Sequence, residues 1–456
     1  MESKKRKPVR TVSLLQHRQQ AEPKLVRPSI AAVQEQQDST CELSTLRVEE
    51  LKERCIQGRP PQISRRVDKL GKPSNGNQQQ FEHSFSVTDP SGIKYDFRDG
   101  LRVMIPANMK GEYIVTAYDA ETHFIHFRTV LKPGESANSR KRYYIPWRLV
   151  VEGEGVTVDV TMDLKGKEVA IHYPKGGLGD LIAWFSYAEA FQQKYQCNLT
   201  CCLPSEYRDL FEPVYPNIKW ATEFAWKSTP FYAVYHMGIF LPDNENDKQP
   251  LDFRMTGLHH NAANILGLPH KDMPPRVDIG ESPVTGKYVC IASRASARCK
   301  EWLNPSGWPA VVSWLKDHGY AVYDIDKDFI RDNDVIPFGA IDMTGAKPLK
   351  DRAAVIKGAA AFIGTSSGLS WLAWCCGTPV VLISGWTLPI TEFYTPYRVI
   401  NWGVCHGCWN DPREEYDHTD SNYCPRHKGT GREGECSRGI PAKQVIDALK
   451  GALRIE

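Results

Sequence analysis

Four cysteines near the end of the chain are spaced like the ligands of a metal ion. Cys405 and Cys408 have two residues between them, and Cys424 and Cys436 follow in a segment rich in Asp, Gly, Asn and charged residues. Two thiolates at this spacing commonly form one half of a tetrahedral site. Because the segment has too few apolar residues to bury four thiols, we predict a closed structural site for zinc or iron that orders it.

A glycine-rich turn, Lys175-Gly-Gly-Leu-Gly-Asp180, lies between a predicted strand at 169–173 and a predicted helix at 181–194. Glycine lets the backbone approach a ligand closely, and a helix N-terminus attracts anions. Two roles are open for Asp180. It is either the N-cap of the helix or a carboxylate at the ligand-binding edge of a parallel sheet, where it could accept a proton from an attacking hydroxyl group.

Two further turns carry groups that suit a phosphate. The stretch Gly364-Thr-Ser-Ser-Gly-Leu-Ser370 joins a predicted strand to a predicted helix, and its hydroxyl and N–H groups would either bind an anion or only cap the helix. A loop after the predicted strand 288–292 holds Lys300, which would neutralise a phosphate, and Trp302, which could stack on a base. Basic residues in loops are usually solvated, so this interpretation depends on the other turns.

The order of the predicted elements indicates an α/β protein with an added β-rich domain. Short alternating runs such as Tyr113–Ala117 and Arg142–Ile145 predict about five to seven strands, and two later regions alternate strands with helices, as covered parallel sheets require. The Pro-rich stretch 273–275 would link these two regions. The predicted units are a disordered basic extension at 1–80, a β-rich domain at 81–165, Rossmann-like domains at 166–275 and 285–400, a metal-binding finger at 401–440 and a C-terminal helix at 441–456.

Composition narrows the class of protein. Residues 1–80 hold 16 Lys and Arg against 9 Asp and Glu and no aromatic residue, which predicts a disordered tail, whereas the other 376 residues hold 41 basic and 45 acidic residues. A mildly acidic body argues against a nucleic-acid-binding protein. No apolar run reaches the length of a membrane span, and no apolar stretch follows the basic N-terminus, as a signal peptide requires. We expect a cytoplasmic protein whose 13 cysteines form no disulfide framework.

The order of these features resembles the bacterial autotransporter heptosyltransferases, which are related to the heptosyltransferases of lipopolysaccharide core assembly. The resemblance spans about residues 90–440. It rests on a β-rich leader, K-G-G-L-G-D, Lys300-Glu-Trp302, G-T-S-S-G-L-S-W-L-A-W, P-V-V-L-I-S-G, E-F-Y-T-P-Y-R-V and the cysteine-containing tail, in that order.

The resemblance implies a GT-B type glycosyltransferase with two Rossmann-like domains. It implies ADP-heptose as the donor, serine hydroxyl groups of autotransporter passenger repeats as acceptors, and inversion at the anomeric carbon. Asp180 would be the general base, Lys300 would bind the donor phosphate, and Ser367-Gly-Leu369 would cradle the diphosphate. The implied donor-binding residues are Gly177, Leu178, Gly179, Lys300, Trp302, Asp326, Gly345, Ser366, Ser367, Gly368 and Leu369.

The resemblance also has implications for metals and assembly. It implies one structural iron per chain, held by the four tail cysteines, and assembly of chains into a dodecamer. The pair Asp324-Ile-Asp326 has the form of a divalent-cation site but ends a predicted strand, so we expect it to bind ribose or heptose hydroxyl groups and expect catalysis without a divalent cation. Several relatives have Thr at the position of Gly177, so one hydroxyl contact to the ligand would be missing here.

Two alternatives stay open at this point. The first is a heptosyltransferase of lipopolysaccharide core assembly, against which stand the β-rich domain and the cysteine tail. The second is a non-catalytic assembly protein that binds a nucleotide sugar in the same two domains. Loss of turnover on removal of the Asp180 carboxylate, with donor binding retained, would distinguish an enzyme from a binding protein.

Overall fold

The computed structural model describes residues 61–65, 85–327, 335–415 and 424–455, together with Asp417 and Asp420. The predicted disordered extension at 1–80 therefore lies outside the described residues, except for 61–65. Within these described ranges, no helix combines the length and the apolar composition that crossing a membrane requires.

The β-rich domain consists of two antiparallel sheets. The first has the order β1-β7-β4-β3-β2 and the second has the order β6-β5-β8-β9. The buried side chains of Tyr113, Phe127 and Trp147 belong to its core. The strands are β1 (Gln62–Arg65), β2 (Val87–Thr88), β3 (Lys94–Asp96), β4 (Arg102–Met104), β5 (Tyr113–Asp119), β6 (Ile125–Leu131), β7 (Glu135–Asn138), β8 (Trp147–Gly153) and β9 (Val156–Thr161).

Three sequence predictions for this region are wrong. The domain has eight strands between 87 and 161 rather than five to seven, and the predicted strand Arg142–Ile145 is a loop before β8. Gln62–Arg65, placed in the disordered extension, forms β1 along the edge of β7. Ile63 is 48% exposed, so this strand is held by backbone pairing, which an aromatic-poor segment can supply.

The first parallel sheet follows directly. Its strands are β10 (Glu168–His172), β11 (Asn198–Cys202), β12 (Lys219–Ala221) and β13 (Ala233–His236), in the order β12-β11-β10-β13. The helices are α1 (Leu178–Phe185), α2 (Ala188–Tyr195), α3 (Ser205–Phe211), α4 (Ala225–Ser228) and α5 (Leu258–Leu266). The single helix predicted over 181–194 is therefore two helices. The Ser186 hydroxyl donates to the Ala183 carbonyl oxygen at this break, a local bond that competes with regular helix.

The second parallel sheet has six strands in the order β16-β15-β14-β17-β18-β19. They are β14 (Tyr288–Ile291), β15 (Ala321–Asp324), β16 (Ile341–Asp342), β17 (Phe362–Thr365), β18 (Val380–Ile383) and β19 (Arg398–Val399). The helices of this part are α6 (Gly307–Asp317), α7 (Leu349–Gly358), α8 (Gly368–Cys375), α9 (Glu435–Arg438) and α10 (Ala442–Leu453). Numbered from the first strand, this order is the doubly wound 3-2-1-4-5-6 arrangement.

Both parallel sheets reverse their strand order between the first and the fourth strand, at β10/β13 and at β14/β17. Ligands of open α/β sheets bind in the crevice outside the carboxyl ends of the strands at such a reversal. The turn with Asp180 follows β10, the loop with Lys300 follows β14, and the serine turn follows β17. All three turns singled out in the sequence therefore leave strands that border a reversal.

Candidate active site

The helices that follow two of these turns contact each other at their N-termini. Helix α1 packs against α8, and the closest approach is between Gly179 and Gly368. A methyl group on Gly179 would lie 2.9 Å from Trp371 Cδ1 and 3.3 Å from Gly368 Cα. A side chain at either glycine would push the two helices apart. The absence of side chains therefore lets the turn with Asp180 and the serine turn lie next to each other.

Asp180 lies in the first turn of α1 and is not the N-cap. The N-cap is Gly177, whose N–H donates to Asp180 Oδ2 over 3.2 Å. Burial raises the pKa of the Asp180 carboxyl, and the charge of Lys300 and the bond from Gly177 oppose that rise. A carboxylate with a raised pKa and one fixed backbone partner is suited to accept a proton.

Lys300 ends a short 3-10 turn, Arg298–Lys300, in the loop that follows β14. Its ammonium group lies 5.2 Å from the centre of the Trp386 ring, a cation–π contact. Its charge acts on Asp180 and opposes the rise of that carboxyl pKa, so the two side chains that the sequence placed in separate turns affect each other electrostatically.

One hydroxyl group of the serine turn bonds to a buried side chain of its own domain. The Ser366 hydroxyl donates to Glu392, and Glu392 is buried and paired with Arg398 at 2.8 Å. Ser367 precedes α8. The first N–H groups of a helix have no partner inside the helix, so those of Gly368 and Leu369 form an end that suits an anion, next to the helix that carries Asp180. The Ser367 N–H donates to the Thr365 carbonyl oxygen.

Trp302 is placed differently from the prediction that it stacks on a base. It is 3% exposed, and its indole N–H donates to the Ile440 carbonyl oxygen over 3.0 Å. The ring also contacts Trp308 with a centroid distance of 5.2 Å. Trp302 is thus a core residue beside the C-terminal helix α10, and we no longer assign it to the donor site.

Asp326 is likewise directed into the protein. It is 6% exposed, and its Oδ2 accepts N–H bonds from Ser293 and Arg294 at 2.8 and 2.9 Å. Burial and the adjacent Asp324 raise the pKa of Asp326 to about 7. These contacts engage Oδ2 of the carboxylate that was expected to bind sugar hydroxyl groups, and the burial of Asp326 argues against that expectation.

Gly345 follows β16 with a φ of +99°, and its carbonyl oxygen accepts a bond from Arg352. The same guanidinium also bonds the carbonyl oxygens of Ile325 and Asp326. Gly345 therefore has an internal role in tying this loop to the end of β15, and no geometry here places it against Asp180 or Lys300.

The four tail cysteines line one cavity of about 380 Å³. Cys408 begins a 3-10 turn, Cys436 lies in α9, and the Gly434 N–H points to Cys424 Sγ at 3.5 Å. Burial raises the pKa values of Cys408 and Cys436 to about 12. Four sulfur donors around one small cavity fit a soft metal ion that would hold this segment together.

A fifth thiol, Cys299, lines the same cavity and packs with Trp386 and Cys408. It immediately precedes Lys300. Sequence analysis missed it because its position far upstream in the chain gives no spacing signal. The metal segment and the loop with Lys300 are therefore direct neighbours.

A second cavity, of about 630 Å³, lies between residues 240–254 and the cysteine segment and shares Trp386 with the first. Trp409 packs between Phe253 and Trp386, with ring centroids 5.1 and 4.9 Å apart. The acidic residues that line this cavity are Asp243, Asp252, Glu414 and Glu415. This open cleft has aromatic and acidic walls. It extends to the Trp386 ring, which the Lys300 ammonium group contacts.

Two families match separate parts of the chain. Residues 89–155 match the N-terminal domain of glycosyltransferase TibC, and residues 276–423 match glycosyltransferase family 9 (heptosyltransferase). The first match covers most of the β-rich domain, and the second covers the second parallel sheet and most of the cysteine segment.

Curated proteins are similar over most of the chain. Autotransporter heptosyltransferase Aah of Escherichia coli is 43% identical over 374 residues, which is 80% of this chain and 94% of Aah. A protein of Burkholderia thailandensis named inactive autotransporter heptosyltransferase BimC is 36% identical over 365 residues, 79% of this chain and 85% of BimC.

Solved structures are also similar over most of the chain. The crystal structure of the iron-containing dodecameric glycosyltransferase TibC from enterotoxigenic E. coli is 40% identical, with a TM-score of 0.77, over 82% of this chain and 98% of the TibC chain. TibC has also been solved in complex with ADP-D-beta-D-heptose. With such identity over four fifths of its length, the chain belongs to the autotransporter heptosyltransferases and is a glycosyltransferase of family 9.

Proposed function

We propose that this chain transfers heptose from ADP-heptose to serine hydroxyl groups of an autotransporter passenger domain, with inversion at the anomeric carbon. The observation that carries the proposal is the packing of α1 against α8, which joins the turn with Asp180 to the serine turn, and the charge of Lys300 acts on Asp180. A carboxylate base and a cationic phosphate site are the two groups that such a transfer needs.

The roles follow from position. Asp180 accepts the proton of the acceptor hydroxyl, whose oxygen forms the new bond to the anomeric carbon. The bond from that carbon to the diphosphate oxygen breaks, and ADP leaves from the opposite face. Lys300 and the N–H groups after Ser367 stabilise the charge that develops on the leaving diphosphate. These groups supply the positive charge, so we propose that transfer requires no divalent cation.

The acceptor would approach through the cleft beside Trp386. The cleft has room for an extended peptide segment, and its rim is formed by residues that precede α5 and by the cysteine segment. The match of residues 89–155 to the N-terminal domain of TibC supports a protein acceptor over a lipopolysaccharide core acceptor.

We also propose one structural iron per chain, bound by Cys405, Cys408, Cys424 and Cys436, and assembly into a homododecamer. The sulfur-lined cavity and the similarity to iron-containing dodecameric TibC support both. The 11 cysteines of the described ranges are all free thiols, which supports a cytoplasmic site for the reaction.

Mass spectrometry of a passenger domain co-expressed with this chain tests the proposal. The wild type should add heptose to serines, and Asp180→Asn should reduce transfer by about 10²–10⁴-fold. Asp209→Asn, which alters an exposed acid on α3, serves as the matched control and should transfer normally.

Donor binding separates the remaining possibilities. A binding protein would bind ADP-heptose and leave the passenger unmodified in the wild type as well. Asp180→Asn with more than a tenth of wild-type turnover would remove Asp180 from its role as the base. Transfer to lipopolysaccharide core but not to the passenger would replace the proposed acceptor.

A further inference from the structure

Two histidines and one aspartate form a cluster at the joint between the two parallel-sheet domains. His259 and His260 lie in the first turn of α5, and Asp272 follows that helix just before the Pro-rich linker. Nitrogen and oxygen donor atoms of the three residues lie within 4.8 Å of one another. His259 Nε2 is 2.6 Å from Asp272 Oδ1, and His260 Nε2 is 3.3 Å from the same oxygen.

The cluster contains polar atoms that the surrounding protein does not satisfy. His259 is 1% exposed, and its Nδ1 has no hydrogen-bond partner among the described residues. Asn261 Oδ1 and Asn264 Nδ2, on the same helix, are also buried and unpartnered within that part of the chain. Buried polar atoms nearly always have partners, so this concentration points to a ligand.

The donor set identifies the kind of ligand. Imidazole nitrogen and carboxylate oxygen are ligands of zinc and of neighbouring transition metals. At bond lengths of about 2.0–2.2 Å, tetrahedral ligands lie roughly 3.3 Å apart, which is the spacing of His260 Nε2 and Asp272 Oδ1. His259 Nε2 and Asp272 Oδ1, which are 2.6 Å apart in the hydrogen bond, must separate to about that distance when the ion binds. The side chains of Asp272 and His260 are 38% and 23% exposed, which leaves one side open to water.

We propose that His259, His260 and Asp272 form a second metal site, separate from the cysteine segment, that binds a divalent transition-metal ion such as Zn²⁺. The ion takes the place of the hydrogen bond between His259 Nε2 and Asp272 Oδ1, and the imidazole proton then resides on Nδ1, so the ring binds the ion through Nε2 as a neutral ligand. Water occupies the remaining coordination positions on the exposed side.

The site lies where the two domains are hydrogen-bonded. Asp272 Oδ2 accepts the Tyr394 N–H at 3.2 Å, and the Leu258 N–H donates to the Thr391 carbonyl oxygen at 2.8 Å. The His259 ring lies edge-on to Trp371, with a centroid distance of 5.6 Å. Trp371 in turn contacts the turn with Asp180, so a metal ion here would stiffen the joint behind the active site.

Zinc titration of the full-length protein tests the site. The protein should first be dialysed against EDTA, and its iron and zinc contents measured by elemental analysis. Calorimetric titration with Zn²⁺ should then show one further equivalent per chain. His260→Gln and Asp272→Asn should weaken this binding at least tenfold, and saturating Zn²⁺ should raise Tm in the wild type but not in these variants.

His270→Gln is the matched control. The His270 ring stacks on His260 at 4.5 Å but is not one of the three proposed ligands, so this variant should bind Zn²⁺ like the wild type. A Co²⁺ complex should show ligand-field bands without thiolate charge-transfer absorption, because its donors are nitrogen and oxygen.

Three outcomes would overturn the site: no zinc uptake beyond displacement of the tail-bound metal, normal uptake by folded His260→Gln, or equal loss of uptake in His270→Gln. If Asp272→Asn fails to fold, His260→Gln decides the question, because its side chain is only partly buried. All of these readouts are independent of heptose transfer.

Discussion

Gly179 and Gly368 meet where α1 of one parallel-sheet domain crosses α8 of the other. A methyl group on Gly368 would lie 2.8 Å from Leu178 Cβ and 3.0 Å from the Gly179 nitrogen. Because the neighbours are backbone and a β-carbon, neither can move aside without shifting a helix. The distance between the proposed base and the serine turn is therefore possible only because both positions lack a side chain.

We therefore expect Gly368→Ala to lower the free energy of unfolding by about 1–3 kcal/mol, as overpacking does, and to reduce turnover. The control is Gly176→Ala in the facing glycine-rich turn, whose methyl group would come no closer than 3.8 Å to a neighbour. Thermal unfolding of the two variants measures the difference. Equal Tm values for the two variants would show that the contact between Gly179 and Gly368 has room for a methyl group.

The pH dependence of transfer should report the pair Asp180 and Lys300. Burial raises the pKa of Asp180 and Lys300 lowers it, so Lys300→Met should raise that pKa further. A general base works above its pKa, so the acidic limb of the kcat/KM profile should move to higher pH. Lys300→Arg keeps the charge and should hold the limb near its wild-type position. If the acidic limb of the Lys300→Met profile stays at its wild-type position, the charge of Lys300 does not act on Asp180.

Metal content should depend on the four tail cysteines and not on Cys299. Cys436→Ser should lose the metal and unfold the segment from 404 to 438, because the segment is ordered by that ion. Cys299→Ser should retain the metal, and so should Cys375→Ser, whose thiol lies in α8 outside the cavity. Elemental analysis, with visible absorption from iron–thiolate charge transfer, measures this. Metal loss in Cys299→Ser would make it a ligand.

Ser437 should affect donor binding without touching the donor. Its hydroxyl donates to the Glu301 carbonyl oxygen and accepts the Leu303 N–H at 2.9 Å, on either side of Trp302. Ser437→Ala should weaken ADP binding severalfold while iron content stays at one per chain. Ser306→Ala, an exposed serine nearby, should bind ADP normally. Titration calorimetry with ADP gives both affinities.

Local patterns predicted correctly that the turns with Asp180 and Ser366 lie between a strand and a helix. The strand before Asp180 and the strand before Ser366 are short apolar runs followed by glycines, and such strand–turn–helix signals lie within 20 residues of sequence. The cysteine spacing is equally local. These features need no knowledge of what packs against them, so the sequence is sufficient to place them.

Burial by distant segments could not be predicted in the same way. Trp302 is covered by Ile440, and the Asp326 carboxylate is capped by the backbone after β14, so both are turned away from ligand. Cys299 joins the tail cysteines only through folding. The contact between His259 and Asp272 also has no sequence signature. It lies where the two parallel-sheet domains meet and Asp272 accepts the Tyr394 N–H, and this meeting forms only on folding.

The supports of the Lys300 loop come from a distant part of the chain. Ser437 and Ile440 bond to Leu303 and Trp302 across 134 and 138 residues of sequence, and they fix the loop that carries Lys300. During synthesis, the first parallel-sheet domain and Asp180 emerge from the ribosome long before these anchors exist. The Lys300 loop therefore reaches its folded conformation only after residues 437–440 have been made, and a chain that stopped before them would keep Asp180 but lack the support of the proposed donor-binding loop.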